Sequence, residues 1–239
     1  MAEFDIILAD MDDTLFDYKT AAYHAFRETL SRYGFTYSRE LEERYQTINQ
    51  GLWHRLELGE VTREQLQSER FLKFFASLGK AVDPVKVNEF YMSILAEGNY
   101  LLPGAEEFCK KVSAQRPIYF ITNGFSVSQH RRLETSAVSP YICGIFVSEE
   151  LGFQKPRREF FEAVLGALKV TDRKRCIVLG DSLSSDILGA NNAEIPCCWF
   201  NPQHKNNPGP AVCDFEISSL QEFYPVIGIE NTTGDGQKK

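Results

Sequence analysis

Two short apolar runs, residues 4–9 and 175–179, end abruptly in acid. The first leads into Asp10-Met11-Asp12-Asp13-Thr14-Leu15 and the second into Gly180-Asp181-Ser182-Leu183-Ser184-Ser185-Asp186. Runs of this length and composition read as buried strands of a parallel sheet. Carboxylates at the C-terminal tips of such strands stand in the crevice where an open α/β sheet places its ligands. Four carboxylates gathered there repel one another unless a cation or a shared proton intervenes. One acidic cluster alone could be a solvated turn or a helix N-cap, where Asp is common. Two acid-tipped strands far apart in sequence favour a site.

Further strand candidates at residues 117–121, 143–147 and 196–200 alternate with helical patterns over 105–115, 127–136, 158–168 and 185–192. This is the βα rhythm of an α/β fold with a doubly wound parallel sheet. Right-handed crossovers then collect Asp10, Asp12, Thr122 and Asp181 on one edge. Residues 17–98 break the rhythm, with helical segments at 20–33, 39–58, 63–78 and 84–96 and no convincing strand, and Pro103-Gly104 marks the return. The expected organisation is a core made of residues 1–16 and 99–230, an all-helical insertion over 17–98, and a polar, mobile tail over 231–239.

The chain has 239 residues and a formal net charge of -7. That charge disfavours nucleic-acid polymers and anionic membrane surfaces as partners. A small anionic substrate would need a local positive site, which a divalent metal, Lys155 and backbone N–H groups can supply. The six cysteines form no CxxC pair and sit mostly in apolar runs, which reads as buried reduced thiols. The four histidines lack zinc-ligand spacing. With no long apolar stretch and no basic leader, a cytoplasmic location is expected.

Asp10-x-Asp12-x-Thr14 after a strand, Thr122-Asn123-Gly124 after a strand, Lys155-Pro156 before a helix, and Gly180-Asp181-x-x-x-x-Asp186 resemble the four ordered motifs of the haloacid dehalogenase (HAD) superfamily. The resemblance implies a Rossmann-like core with the helical insertion as a cap of the C1 type. It also implies hydrolysis of phosphate monoesters, slow enough in water to require a nucleophile, an acid and charge neutralisation together. Carried over by position, Asp10 is the nucleophile that becomes an aspartyl-phosphate, and Asp12 is the acid and base. Mg²⁺ is held by Asp10, Asp181 and the backbone carbonyl of Asp12, while Asp186 orients metal-bound water or the lysine. Thr122, through its hydroxyl, and Asn123 and Gly124, through their N–H groups, bind the phosphate together with Lys155, and Thr14 buttresses the turn. On their own, Asp186 could be an acid at a helix N-terminus and Lys155 a solvated lysine before a helix. Dehalogenases of the superfamily lack the second aspartate, so Asp12 points to phosphate esters.

A finer resemblance lies in Asn49-Gln50-Gly51-Leu52-Trp53, Ile121-Thr122-Asn123-Gly124-Phe125 with Gln129 and Arg132-Leu133, Ser148-Glu149-Glu150-Leu151-Gly152, and Asp186-Ile187-Leu188-Gly189-Ala190. These segments are similar to bacterial house-cleaning pyrimidine 5′-nucleotidases of the YjjG type, which implies a small-molecule nucleotide as substrate. Asn49 and Trp53, four apart on one helix, could meet the base, although a Trp among leucines is more often packing. Gln129, His130, Arg131 and Arg132 read as a solvated helix face. The alternatives are a phosphatase of sugar phosphates or phosphoglycolate, and a catalytically silent HAD-like binding protein, against which the clustered acids speak.

Overall fold

The structure is a computed structural model and describes residues 4–230, so the tail expected at 231–239 lies outside the described residues. The chain divides into two compact units, Tyr18–Tyr100 and the remainder, which runs up to Asp17 and resumes at Leu101.

The helical unit consists of α1 (Tyr18–Arg32), α2 (Arg39–Glu57), α3 (Arg63–Ala76) and α4 (Pro84–Ala96). Its helix starts are written in the sequence. Ser38 Oγ accepts the N–H of Leu41, Thr62 and Gln65 form a reciprocal capping box, and Asp83 caps a helix whose first residue is Pro84. Phe71, Phe74 and Phe75 recur at helical spacing and pack with Phe26, Leu30, Tyr45 and Tyr91 into one aromatic-rich core. Arg70 is buried within this unit, its Nη2 donating to Asn88 Oδ1 (2.5 Å) and its guanidinium lying 4.9 Å from the centre of the Tyr91 ring.

The second unit is a six-stranded parallel sheet in the order β3-β2-β1-β4-β5-β6, with β1 Ile6–Ala9, β2 Ile118–Thr122, β3 Gly144–Val147, β4 Cys176–Gly180, β5 Cys197–Phe200 and β6 Phe215–Ile217. Around it run α5 (Ala105–Ser113), α6 (Ser126–Glu134), α7 (Ser148–Leu151), α8 (Arg158–Ala167), α9 (Leu188–Asn192) and α10 (Phe223–Val226). Alternation along the central strand feeds two cores. Ile7 and Ala9 join Phe108, Phe120 and Phe223 on one side, and Leu8 joins Phe160, Phe161 and Val178 on the other. The five strands read from the sequence are present within a residue or two, whereas β6 is an addition. It is three residues long with a glutamate at its centre and exists by pairing with β5, Trp199 opposite Glu216. The strand order reverses between β1 and β4, and ligands of open α/β sheets bind at such a switch point.

Candidate active site

β1 delivers Asp10 directly past its last residue, and the Asp10 N–H donates to Leu179 O of β4 (2.8 Å). The chain then turns tightly. Met11 O accepts from Leu15 N (3.1 Å) and Phe16 N (2.8 Å), with Asp13 in the left-handed region at φ 60°. Thr14, fully buried, ties the two acid-tipped strands together: its hydroxyl donates to Asp10 Oδ2 (3.2 Å) and accepts from the Asp181 N–H (3.1 Å). The indole N–H of Trp199 holds Asp181 from the other side, through its carbonyl (2.9 Å).

Lys155 is only 1% exposed. Its ammonium spends all three protons, on Asp10 Oδ1 (2.6 Å), Asp186 Oδ1 (2.7 Å) and Ile121 O (2.8 Å), so it is no solvated lysine. Asn123 positions it: its side chain donates to Lys155 O (2.8 Å) and accepts from Lys155 N (2.9 Å), closing a two-bond clamp. Thr122 ends β2, buried, and its hydroxyl oxygen accepts from Gly124 N (3.0 Å) and Gln129 Nε2 (2.7 Å), which leaves the hydroxyl proton for another acceptor.

After β4, Ser182 O accepts from both Asp186 N (2.9 Å) and Ile187 N (3.1 Å), a wide turn that opens the following helix and swings Asp186 back under the strand. Asp186 Oδ2 accepts from Ser182 N (3.1 Å). The space it fills exists because residue 180 is glycine: a Cβ there would lie 2.4 Å from Asp186 Cγ. Oxygens of Asp10, Asp181 and Asp186 lie within 4.8 Å of one another. Burial, reinforced by Asp186 and opposed by Lys155, pushes Asp10 well above the ordinary carboxylate range. Burial, with Asp186 and Asp13, lifts Asp181 to about 7. Burial by itself would lower Lys155, but Asp10 and Asp186 outweigh it and hold the ammonium above the usual lysine range. Three carboxylates against one ammonium leave two formal negative charges among oxygen-only donors, the charge and the chemistry of a hard divalent cation site.

The solvated face read for α6 needs correction. His130 and Arg131 are exposed, but Gln129 and Arg132 are buried and both hold Asp12. Arg132 Nη1 donates to Asp12 Oδ1 (2.5 Å) and Gln129 Nε2 to Asp12 Oδ2 (2.9 Å), while the Asp12 side chain stays 27% exposed. Their spacing of three was the available signal, since it puts Gln129 and Arg132 on one side of the helix and separates them from His130 and Arg131. Of the two residues expected in the helical insertion, Trp53 is half-buried, and Asn49 is buried with its Oδ1 3.5 Å from Arg70 Nη1.

A family model for haloacid dehalogenase-like hydrolases matches residues 4–194. The chain belongs to this family. The Bacillus subtilis protein named as the HAD-hydrolase YfnB is 34% identical over 232 residues, 97% of this chain and 99% of its own. A crystal structure of YfnB bound to magnesium, which reveals interdomain movement in that protein, superposes with a TM-score of 0.90 over 95% of this chain and all of its own, at 33% identity. The pyrimidine 5′-nucleotidase YjjG of Escherichia coli is 34% identical over 225 residues, covering 94% of this chain and 98% of its own. The pyrimidine 5′-nucleotidase PynA of Streptococcus pneumoniae is 31% identical over 221 residues, 92% and 93% respectively. This haloacid dehalogenase-like hydrolase is therefore an enzyme. Among its described residues no helix is long and apolar enough to cross a membrane.

Proposed function

We propose that this enzyme is a Mg²⁺-dependent phosphomonoesterase that removes the 5′-phosphate of pyrimidine ribo- and deoxyribonucleoside monophosphates. The observation that carries the reading is Asp10, at the tip of the central strand, with Lys155 on one oxygen, Thr14 on the other and two more carboxylates within reach of one ion. Asp10, Asp181 and the backbone carbonyl of Asp12 would hold the metal, with Asp186 fixing Lys155 beside them. When bound, Mg²⁺ neutralises charge on the phosphoryl oxygens and orients them.

The chain's own residues do the rest. Lys155, whose bond to Asp10 is released as that carboxylate turns to phosphorus, and the hydroxyl proton of Thr122 hold phosphate oxygens, with the N–H of Asn123 at the strand-to-helix turn, while the N–H of Gly124, which donates to Thr122 Oγ1, fixes that hydroxyl. A carboxylate oxygen of Asp10 attacks phosphorus as the bond to the ester oxygen breaks, and Asp12 donates its proton to that oxygen, releasing the nucleoside. Asp12 then takes a proton from water as the water attacks phosphorus, and the Asp10–phosphate bond breaks to yield inorganic phosphate and free Asp10. The phosphoryl group is common to all substrates, so base discrimination falls to the helical unit. There we assign the contact with the base to Trp53 and to Asn49.

The relatives YjjG and PynA support the nucleotide reading. The test is phosphate release with Mg²⁺ from UMP, dUMP and dTMP beside AMP, GMP, glucose 6-phosphate and phosphoglycolate. Higher kcat/KM for the pyrimidine nucleotides is expected. Preference for a sugar phosphate or phosphoglycolate overturns the nucleotidase reading, and no turnover of any ester overturns the phosphatase reading.

A further inference from the structure

We infer that Arg132 and Gln129 are positioning residues for Asp12, fixing the rotamer of the carboxylate that gives and takes the proton. The inference rests on the phosphatase reading of this site. One proton of Arg132 Nη1 goes to Asp12 Oδ1 (2.5 Å) and the other to Gln129 Oε1 (2.9 Å). The two protons of Gln129 Nε2 go to Asp12 Oδ2 (2.9 Å) and to Thr122 Oγ (2.7 Å). The orientation of the Gln129 amide is dictated by chemistry, because a reversed amide would set its NH₂ against a guanidinium that can only donate. Each Asp12 oxygen thus has its own donor, which fixes both torsions of the side chain, while the exposed fraction of the carboxylate stays open to a ligand.

The clamp is itself braced. The guanidinium of Arg132 lies 5.2 Å from the centre of the ring of Phe16, a residue of the same turn that carries Asp12 and joined to it by Asp13 N–H to Phe16 O (2.8 Å). Gln129 is braced against Gly124, where a Cβ would lie 2.5 Å from its Cδ, so the glycine of Thr122-Asn123-Gly124 makes room for the side chain that reaches Asp12. A buried arginine whose charge served only stability could be replaced by packed apolar residues at little cost. This one is aimed at a partly exposed carboxylate, with an amide relay to the residue that would hold phosphate.

The test uses the full chain with Mg²⁺ and two esters: dUMP, whose deoxyribose 5′-alkoxide needs a proton to leave, and p-nitrophenyl phosphate, whose leaving group does not. β-Glycerophosphate replaces dUMP if nucleotides prove not to be substrates. Arg132→Ala is expected to lower kcat/KM for the alkyl ester about 100-fold, the cost of a misplaced catalytic group. Its value for p-nitrophenyl phosphate should stay within about 5-fold of wild type. In an Asp12→Asn background the same substitution should cost less than about 3-fold, because the clamp acts through the group already disabled. Gln129→Ala should move the ratio between esters in the same direction, less far, and it carries the test together with Arg132→Lys if Arg132→Ala loses its thermal transition. Equal losses on the two esters, or an undiminished loss in the Asp12→Asn background, overturn the inference. A wild type that hydrolyses neither ester overturns the phosphatase reading instead.

Discussion

Replacing Gly180 by alanine tests whether the site depends on a backbone that lets a carboxylate approach it. The new Cβ would lie 2.4 Å from Cγ and Oδ2 of Asp186 and 2.5 Å from its Cβ. Non-bonded heavy atoms reach their optimum near about 3.5 Å, so Asp186 must withdraw by about 1 Å. That displacement breaks the bonds from Lys155 Nζ (2.7 Å) and Ser182 N (3.1 Å). Hydrogen bonds to a charged group are worth about 1.5–3 kcal/mol each, and partial relaxation leaves a net cost of about 3 kcal/mol. For a chain of this size that lowers Tm by about 6–12 °C. Lys155 then loses one of its two carboxylates, and turnover should fall about 100-fold through misplacement of the phosphate-binding ammonium. Thermal melts and phosphate release would be read beside Gly166→Ala, a helical glycine whose Cβ meets nothing within 4 Å and which should be neutral or slightly stabilising. A Gly180→Ala enzyme with wild-type Tm and turnover would refute the reasoning.

Lys155→Met should lower the stability of the ion-free protein by about 3–5 kcal/mol, since Asp10 and Asp186 are left buried without their cation, and Mg²⁺ should raise the Tm of this variant more than that of wild type; an unchanged ion-free melt would show that the ammonium is not their counter-charge. Because Asp181 is raised to about 7, the folded ion-free protein keeps a proton between about pH 4 and pH 7 that the unfolded chain has already released, so this group's contribution to stability falls as pH rises through that window. Metal binding requires the carboxylate, so the Mg²⁺-induced rise in Tm should grow between about pH 5.5 and pH 8, and a flat response would count against Asp181 as a ligand. Asn49→Ala removes an acceptor from the buried guanidinium of Arg70 and should cost about 1–3 kcal/mol, together with a lower kcat/KM for dUMP than for p-nitrophenyl phosphate; loss of stability with the ratio intact would confine Asn49 to packing.

The α/β character, the helical insertion and the set of core motifs are local properties of the chain, and the sequence alone determined them. Apolar runs of strand length ending in acid, and caps such as Thr62 with Gln65, act over a few residues, and their pattern survives in one dimension. β6 was not legible because a three-residue edge strand exists only through its partner. Nor were the partners of Asp12. Arg132 lies 120 positions away in sequence, and its two neighbours on the surface of α6 carry the same kind of polar side chain. Asp186 shows the same division. Its place in the motif was visible, with a role on the lysine or on metal-bound water implied by the resemblance, but the bond to Lys155 itself and the room left by Gly180 arise from strands and loops meeting at the sheet edge. Residue types set what chemistry is available. Which carboxylate receives the lysine, which the arginine and which the open space is decided by packing, because burial makes each unpaired charge too costly to leave and only the folded chain brings the counter-charges within reach.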